Sequence, residues 1–119
     1  MRLLEGKRVL LAEDEAILAM SVEDMLTHLG CTVVGPALSA SEARTLAERE
    51  PLDGAVLDIN LGEGATFAIA HILKARHVPI CFATGYGRAV LPAEYRDVPV
   101  LQKPYTELAL AEMLQDLLE

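Results

Sequence analysis

Five polar residues could do chemistry together: Glu13, Asp14, Asp58, Thr84 and Lys103. Each stands just past the end of a short apolar run. Three carboxylates gathered in one crevice repel one another. At ~4 Å and an effective dielectric constant of about 20, each pair costs on the order of 4 kcal/mol. Such a cluster takes up a proton or binds a cation. Oxygen ligands in partial number suit Mg²⁺ (or Mn²⁺), which keeps several waters and accepts a carboxylate or two plus phosphate oxygens. Three carboxylates, one divalent ion and one lysine sum to zero formal charge. A carboxylate shielded in this way is a competent nucleophile toward phosphorus. Phosphoryl transfer asks little more of a protein than positioning and charge neutralisation.

Each residue also has an ordinary use. Asp14 can cap a helix, Asp58 can sit in a turn, Thr84-Gly85 can be a tight loop, and Lys103 can be a solvated surface lysine. Only their joint placement points to chemistry, so the elements that carry them decide. Five apolar runs alternate with helical patterns. The runs are Arg8-Val-Leu-Leu-Ala12, Thr32-Val-Val34, Gly54-Ala-Val-Leu57, Pro79-Ile-Cys-Phe-Ala83 and Val98-Pro-Val-Leu101. The first helix carries Leu18, Val22, Met25, Leu26 and Leu29 on one face and stops at Gly30. The second starts with the capping-box pair Ser39 and Glu42 and turns Ala43, Leu46 and Ala47 inward. The third shows Ala65, Ile69, Ile72, Leu73 and Arg76 at helical spacing. Around Arg88-Ala-Val-Leu91 the fourth helical pattern is weak and short, with Pro92 close behind. Thr106 caps the last helix, whose apolar face is Leu110, Met113, Leu114 and Leu117.

Five βα units in a row predict an α/β fold, a doubly wound open sheet of five parallel strands in the order 2-1-3-4-5. Ligands of such sheets bind outside the carboxyl ends of the strands, where strand order reverses. That point lies between strands 1 and 3. It brings Glu13, Asp14 and Asp58 to one crevice and sets Thr84 and Lys103 on its far side.

The chain has 119 residues, 52% of them hydrophobic, which gives one domain with a substantial core and no disorder. The balance of 10 Lys+Arg against 18 Asp+Glu leaves a net charge of −8. That argues against nucleic acid and anionic membranes as partners, since both need clustered positive charge. Five aromatics (three Tyr, two Phe) and no Trp leave little for base stacking. No apolar run approaches the ~20 residues of a membrane span, and charges interrupt the first eight residues where a signal-peptide core would lie. Cys31 and Cys81 read as two buried thiols of a reduced compartment, so the expected location is cytoplasmic. The expected domain is 1–119, with no room for an output module.

Four segments together resemble the receiver domain of bacterial two-component response regulators. They are Leu10-Leu-Ala-Glu-Asp-Glu15, Val56-Leu-Asp-Ile-Asn60, Phe82-Ala-Thr-Gly-Tyr86 and Gln102-Lys-Pro-Tyr105, in order over residues 7–118. The resemblance implies the flavodoxin-like (βα)5 fold. It implies that Asp58 is the phosphoacceptor and that Asp14, Asp58 and the backbone carbonyl of Asn60 ligate Mg²⁺, with Glu13 acting through water. Thr84 would hydrogen-bond the phosphoryl group. Lys103 would pair with Asp58 and then with a phosphoryl oxygen, and Lys103-Pro104 would be cis. A histidine kinase or histidine phosphotransfer protein would be the donor. A downstream protein target, or a role as a phosphate sink, would be the output. Such a protein is a monomer or weak dimer and a phosphoacceptor rather than an enzyme acting on other molecules.

Several positions depart from the common receiver pattern. Leu61-Gly62 replaces Met-Pro, which predicts a more mobile loop. Val100 stands where an aromatic switch residue is usual, and Phe82-Ala-Thr-Gly-Tyr86 resembles the hallmark of the FATGUY subfamily, which lacks that aromatic. The stretch from Thr84 to Lys103 is short. Signalling is therefore expected through order and disorder of residues 86–97 around Gly85 and Gly87, with Tyr86 or Tyr105 as candidates to replace the ring. Tyr86 would cover the phosphoryl site or pack on the fifth strand. Tyr95, Arg96, Val100, Pro104 and Tyr105 are candidates for the output face and its switch. A haloacid-dehalogenase-like phosphatase would want a second Asp where Asn60 stands. A nucleotide binder would need a phosphate loop where Glu13-Asp14-Glu15 repels phosphate. Gly62-Glu-Gly64 and Gly85-Tyr-Gly87 lack the third glycine of a dinucleotide fingerprint. His28, His71 and His77 show no catalytic or metal-ligand spacing with carboxylates. The remaining alternative is a degenerate receiver that docks partners without phosphorylation.

Overall fold

The strands read as unbroken apolar runs because both faces of the sheet are covered. Their side chains alternate between two cores. Leu10, Ala55, Leu57, Ile80 and Phe82 face one side, and Val9, Leu11, Val56, Cys81 and Ala83 face the other. The computed structural model describes residues 4–61, 65–85 and 91–119. The elements are β1 (Arg8–Ala12), α1 (Ala16–His28), β2 (Thr32–Ala37), α2 (Ala40–Arg49), β3 (Gly54–Asp58), α3 (Ala65–Ala75), β4 (Ile80–Thr84), β5 (Val100–Gln102) and α4 (Glu107–Leu118). All strand pairs are parallel, in the order β2-β1-β3-β4-β5. This is the expected flavodoxin-like doubly wound sheet. α2 and α3 cover the first core through Ala43, Ala47, Ile69 and Leu73; α1 and α4 cover the second through Val22, Leu26, Leu110 and Leu114.

The helix ends follow local chemistry. Ser39 Oγ accepts the Glu42 amide at 3.2 Å, and the Glu42 carboxylate reaches back to the Leu38 amide at 2.9 Å. Thr106 Oγ1 accepts from the Ala109 amide at 3.1 Å. Gly30, at φ 93°, closes α1: its own amide donates to Thr27 and that of Cys31 donates to Leu26. His77 does the same for α3 at φ 60°, with the amides of His77 and Val78 donating to Lys74 and Leu73. His77 thus has a structural place at the end of α3.

Some boundaries differ from those the sequence suggests. β2 does not stop at Gly35-Pro36 but runs on to Ala37, with a register irregularity opposite β1 between Leu10 and Ala12. β2 is an edge strand, where a proline breaks no ladder on the open side. β5 starts at Val100, not Val98. Asp58 and Thr84 are the last residues of β3 and β4 rather than the residues after them. Arg76 lies past the end of α3, where its guanidinium donates to the Ala47 carbonyl. Among the described residues between β4 and β5 there is only a single 3-10 turn, Ala93–Tyr95. Tyr95 is not the surface residue expected of it. It is 2% exposed, stacked on Phe67 (5.6 Å between centroids) and edge-on to Phe82 (5.8 Å). Both cysteines are free and buried, and burial pushes the Cys81 thiol up to about 12, so it acts as a small apolar side chain. No helix among the described residues is long and apolar enough to cross a membrane.

Candidate functional site

The parallel register delivers the site. β1, β3 and β4 lie side by side, with Ala12 opposite Leu57 and Asp58 opposite Ala83. Their carboxyl ends therefore open on the same edge, and Glu13, Asp14, Asp58 and Thr84 arrive there together. Thr84 pairs with Gln102, and the Lys103 amide donates to the Thr84 carbonyl at 2.9 Å. This bond brings the lysine to the same edge. The peptide between Lys103 and Pro104 is cis.

The carboxylates of Glu13, Asp14 and Asp58 each place an oxygen within 4.8 Å of the others. Glu13 is 3% and Asp58 2% exposed, whereas Asp14 lies open to solvent. Lys103 Nζ bridges the two buried acids, at 2.9 Å from Glu13 Oε1 and 3.1 Å from Asp58 Oδ1. The second Glu13 oxygen accepts the Glu15 amide at 3.1 Å. Asp58 Oδ1 also accepts the Asn60 amide at 3.0 Å. Burial pushes Asp58 up, but the Asn60 amide and Lys103 outweigh it and hold the carboxyl below its usual range. Burial and the neighbouring Asp58 push Glu13 up, only partly offset by Lys103, and the same two causes raise Asp14. The two carboxylates raise Lys103 against its own burial, so it stays charged. The result is one low-pKa carboxylate between two acids that hold their protons more tightly. An all-oxygen donor set with one lysine leaves a formal −2, and that charge and chemistry fit a hard divalent cation.

The remaining candidates are more scattered. Gly85 is exposed, and its carbonyl accepts from Gln102 Nε2 at 3.1 Å. Val100 is half-buried and pairs with Phe82. Pro104 and Arg96 are exposed. Tyr105 is half-buried against the α1/α4 core, and burial raises its phenol, helped by the charges around Glu13 and Asp58. Gly62, Gly64, Tyr86 and Gly87 lie outside the described residues, as does the segment 86–90. His28, unpaired by sequence spacing, meets Glu107 across 79 positions, at 2.6 Å between Nδ1 and Oε2. That exposed contact ties α1 to α4.

Sequence reasoning missed Thr66. Its buried hydroxyl lies 2.7 Å from the Asp58 carbonyl and 3.0 Å from the Ile59 carbonyl. The only signal was a hydroxyl in an otherwise apolar first turn of the helix.

A family model described as the response regulator receiver domain matches residues 9–115. The chain belongs to this family. Among curated relatives, this receiver is 34% identical over 102 residues to PhyR, the phyllosphere-induced regulator of Methylorubrum extorquens, covering 82% of this chain and 38% of that protein. It is 33% identical over 104 residues to the transcriptional regulatory protein PdtaR of Mycobacterium tuberculosis, covering 84% of this chain and 51% of that one. The chain thus spans about half the length of these relatives, or less. Among solved structures, SdrG from Sphingomonas melonis is 38% identical with a TM-score of 0.80, covering 100% of both chains. The BeF3-activated conformation of SdrG, from Pseudomonas melonis, gives 38% and 0.81, covering 97% of this chain and 98% of that one.

Proposed function

We propose that this receiver accepts a phosphoryl group on Asp58 and signals in that form. The observation that carries the reading is the unequal treatment of the three acids. Of the three, only Asp58 has its carboxyl held below the usual range, and only Asp58 is gripped by a lysine and a backbone amide on the same oxygen, Oδ1. Its other oxygen is the nucleophile. In the transfer an Asp58 oxygen bonds to phosphorus as the bond from phosphorus to the donor's histidine nitrogen breaks. The nitrogen keeps the electron pair, and the product is an acyl phosphate. Hydrolysis later returns the carboxylate and inorganic phosphate.

Asp14, Asp58 and the Asn60 carbonyl are the residues that would hold Mg²⁺, and Glu13, already engaged by Lys103, acts through water. When bound, the ion neutralises charge that develops on the phosphoryl oxygens. Lys103 releases Asp58 and takes up a phosphoryl oxygen. The Thr84 hydroxyl donates to another. The donor is a histidine kinase or histidine phosphotransfer protein. The output is a protein that binds the phosphorylated form, or a phosphate-sink role in a relay. Support comes from the match to SdrG, for which a BeF3-activated conformation has been solved.

Incubation with acetyl phosphate and Mg²⁺, read by intact mass, tests this. One added phosphoryl group is expected, absent with a chelator and absent in Asp58→Ala. No gain in the unmodified chain, or an undiminished gain in Asp58→Ala, overturns it.

A further inference from the structure

We propose that Thr66 is a positioning residue for the Asp58 carboxylate, acting through the two peptide groups that follow Asp58. The inference rests on Asp58 being the phosphoacceptor, and it names what aims that group. The Thr66 side chain is fully buried and carries one hydroxyl proton. That proton is shared between the Asp58 carbonyl at 2.7 Å and the Ile59 carbonyl at 3.0 Å.

Each carbonyl belongs to a planar unit whose other end is also held. The first unit joins the Asp58 carbonyl to the Ile59 amide, which donates to the Ala83 carbonyl at 3.0 Å. The second joins the Ile59 carbonyl to the Asn60 amide, which donates to Asp58 Oδ1 at 3.0 Å. Because the unit is planar, fixing its carbonyl fixes the direction of its N–H. Thr66 therefore sets where the Asn60 amide points, and the Asn60 amide sets the rotation of the Asp58 carboxylate. Lys103, just past the end of β5, meets the same oxygen at 3.1 Å. The hydroxyl sits eight positions past Asp58, on the first turn of α3. The helix thus reaches back to the two peptide groups that follow the nucleophile.

The ordinary role for such a hydroxyl is to satisfy two loop carbonyls and add general stability. The two roles differ at one atom, the Asn60 N–H. The test compares Thr66→Val, which keeps the shape and loses the hydroxyl, with Thr66→Ser, which keeps the hydroxyl and loses the methyl. Amide exchange by NMR is read at Asn60 and at core amides of β3 and β4, and the acetyl phosphate labelling rate is read by mass. In Thr66→Val the Asn60 amide is expected to exchange about tenfold faster, relative to the core amides. Labelling is expected to slow by about tenfold. Thr66→Ser restores both. Thr66→Ala supplies the same contrast if the valine chain does not fold. An Asn60 amide that changes only in step with the core, or a serine chain that behaves like the valine one, overturns the proposal. If the unmodified chain takes up no phosphoryl group, the phosphoacceptor reading fails, while the Asn60 exchange still decides the positioning role.

Discussion

Two neighbouring strands leave the same edge of the sheet in different ways. After β3, hydrogen bonds hold the chain: the Ile59 amide to Ala83, the Asn60 amide to Asp58, and Thr66 to two carbonyls. After β4, the described part of the connection is anchored to the core by a ring, and its backbone hydrogen bonds are local to its own turn: Tyr95 to Pro92 and Val98 to Tyr95. Tyr95 stacks on Phe67 and meets Phe82 edge-on, and its hydroxyl donates to the Phe67 carbonyl at 3.2 Å. Hydrogen bonds are directional and fix the orientation of a group. Apolar burial is non-directional and fixes location. The segment bearing the proposed nucleophile needs orientation, because a small rotation of its carboxylate misaligns the attack. The connection to β5 needs only to stay packed.

The contrast can be broken most severely at the ring that touches both regions. Phe82 lies in β4 and meets Phe67 of α3 at 5.7 Å as well as Tyr95. Phe82→Ala is expected to cost about 3–5 kcal/mol in urea unfolding, loosening both connections. A loss under 1 kcal/mol would show that the aromatic trio does not hold them. Thr66→Val acts on the first connection alone and is expected to cost about 1–3 kcal/mol, since it leaves buried carbonyls without their donor. Tyr95→Phe acts on the second alone. It is expected to cost about 0.5–1.5 kcal/mol and to leave the acetyl phosphate labelling rate unchanged. Equal slowing of labelling by Thr66→Val and Tyr95→Phe would erase the distinction.

The smallest effect is on pH dependence, measured by denaturation in chelating buffer. Asp58 is held below its ordinary value of 3.8. A lowered acid gives stability that is present above its ordinary pKa and is lost as pH falls through the folded one. Glu13 and Asp14 are raised, so their ionised forms burden the folded state at neutral pH and relieve it as pH falls. Asp58→Asn should therefore flatten the acid limb of the stability curve, and Glu13→Gln should steepen it. Parallel limbs in the two variants would mean that the acids are not treated unequally.

The fold and the acid cluster were legible because continuous apolar runs end on polar residues, and parallel strands put those ends on one edge. Glu13, Asp58, Thr84 and Lys103 needed no tertiary knowledge beyond strand order. Tyr95 was not legible. It sits in a polar, proline-bounded stretch, and its burial depends on Phe67, 28 positions earlier. Thr66 was hidden for a similar reason: its partners are backbone carbonyls, which carry no sequence signal. β2 extends through Gly35-Pro36 although those residues read as a turn, because the strand lies at the sheet edge and its register against β1 shifts there.

The direct test of the account is where the phosphoryl group goes. An acyl phosphate is reduced by borohydride to an alcohol, which at an aspartate leaves homoserine. After acetyl phosphate and Mg²⁺, reduction and peptide mapping should find homoserine at position 58 and leave Asp14 intact. Homoserine at position 14, or none anywhere in a chain that has gained phosphoryl mass, would contradict the assignment of Asp58.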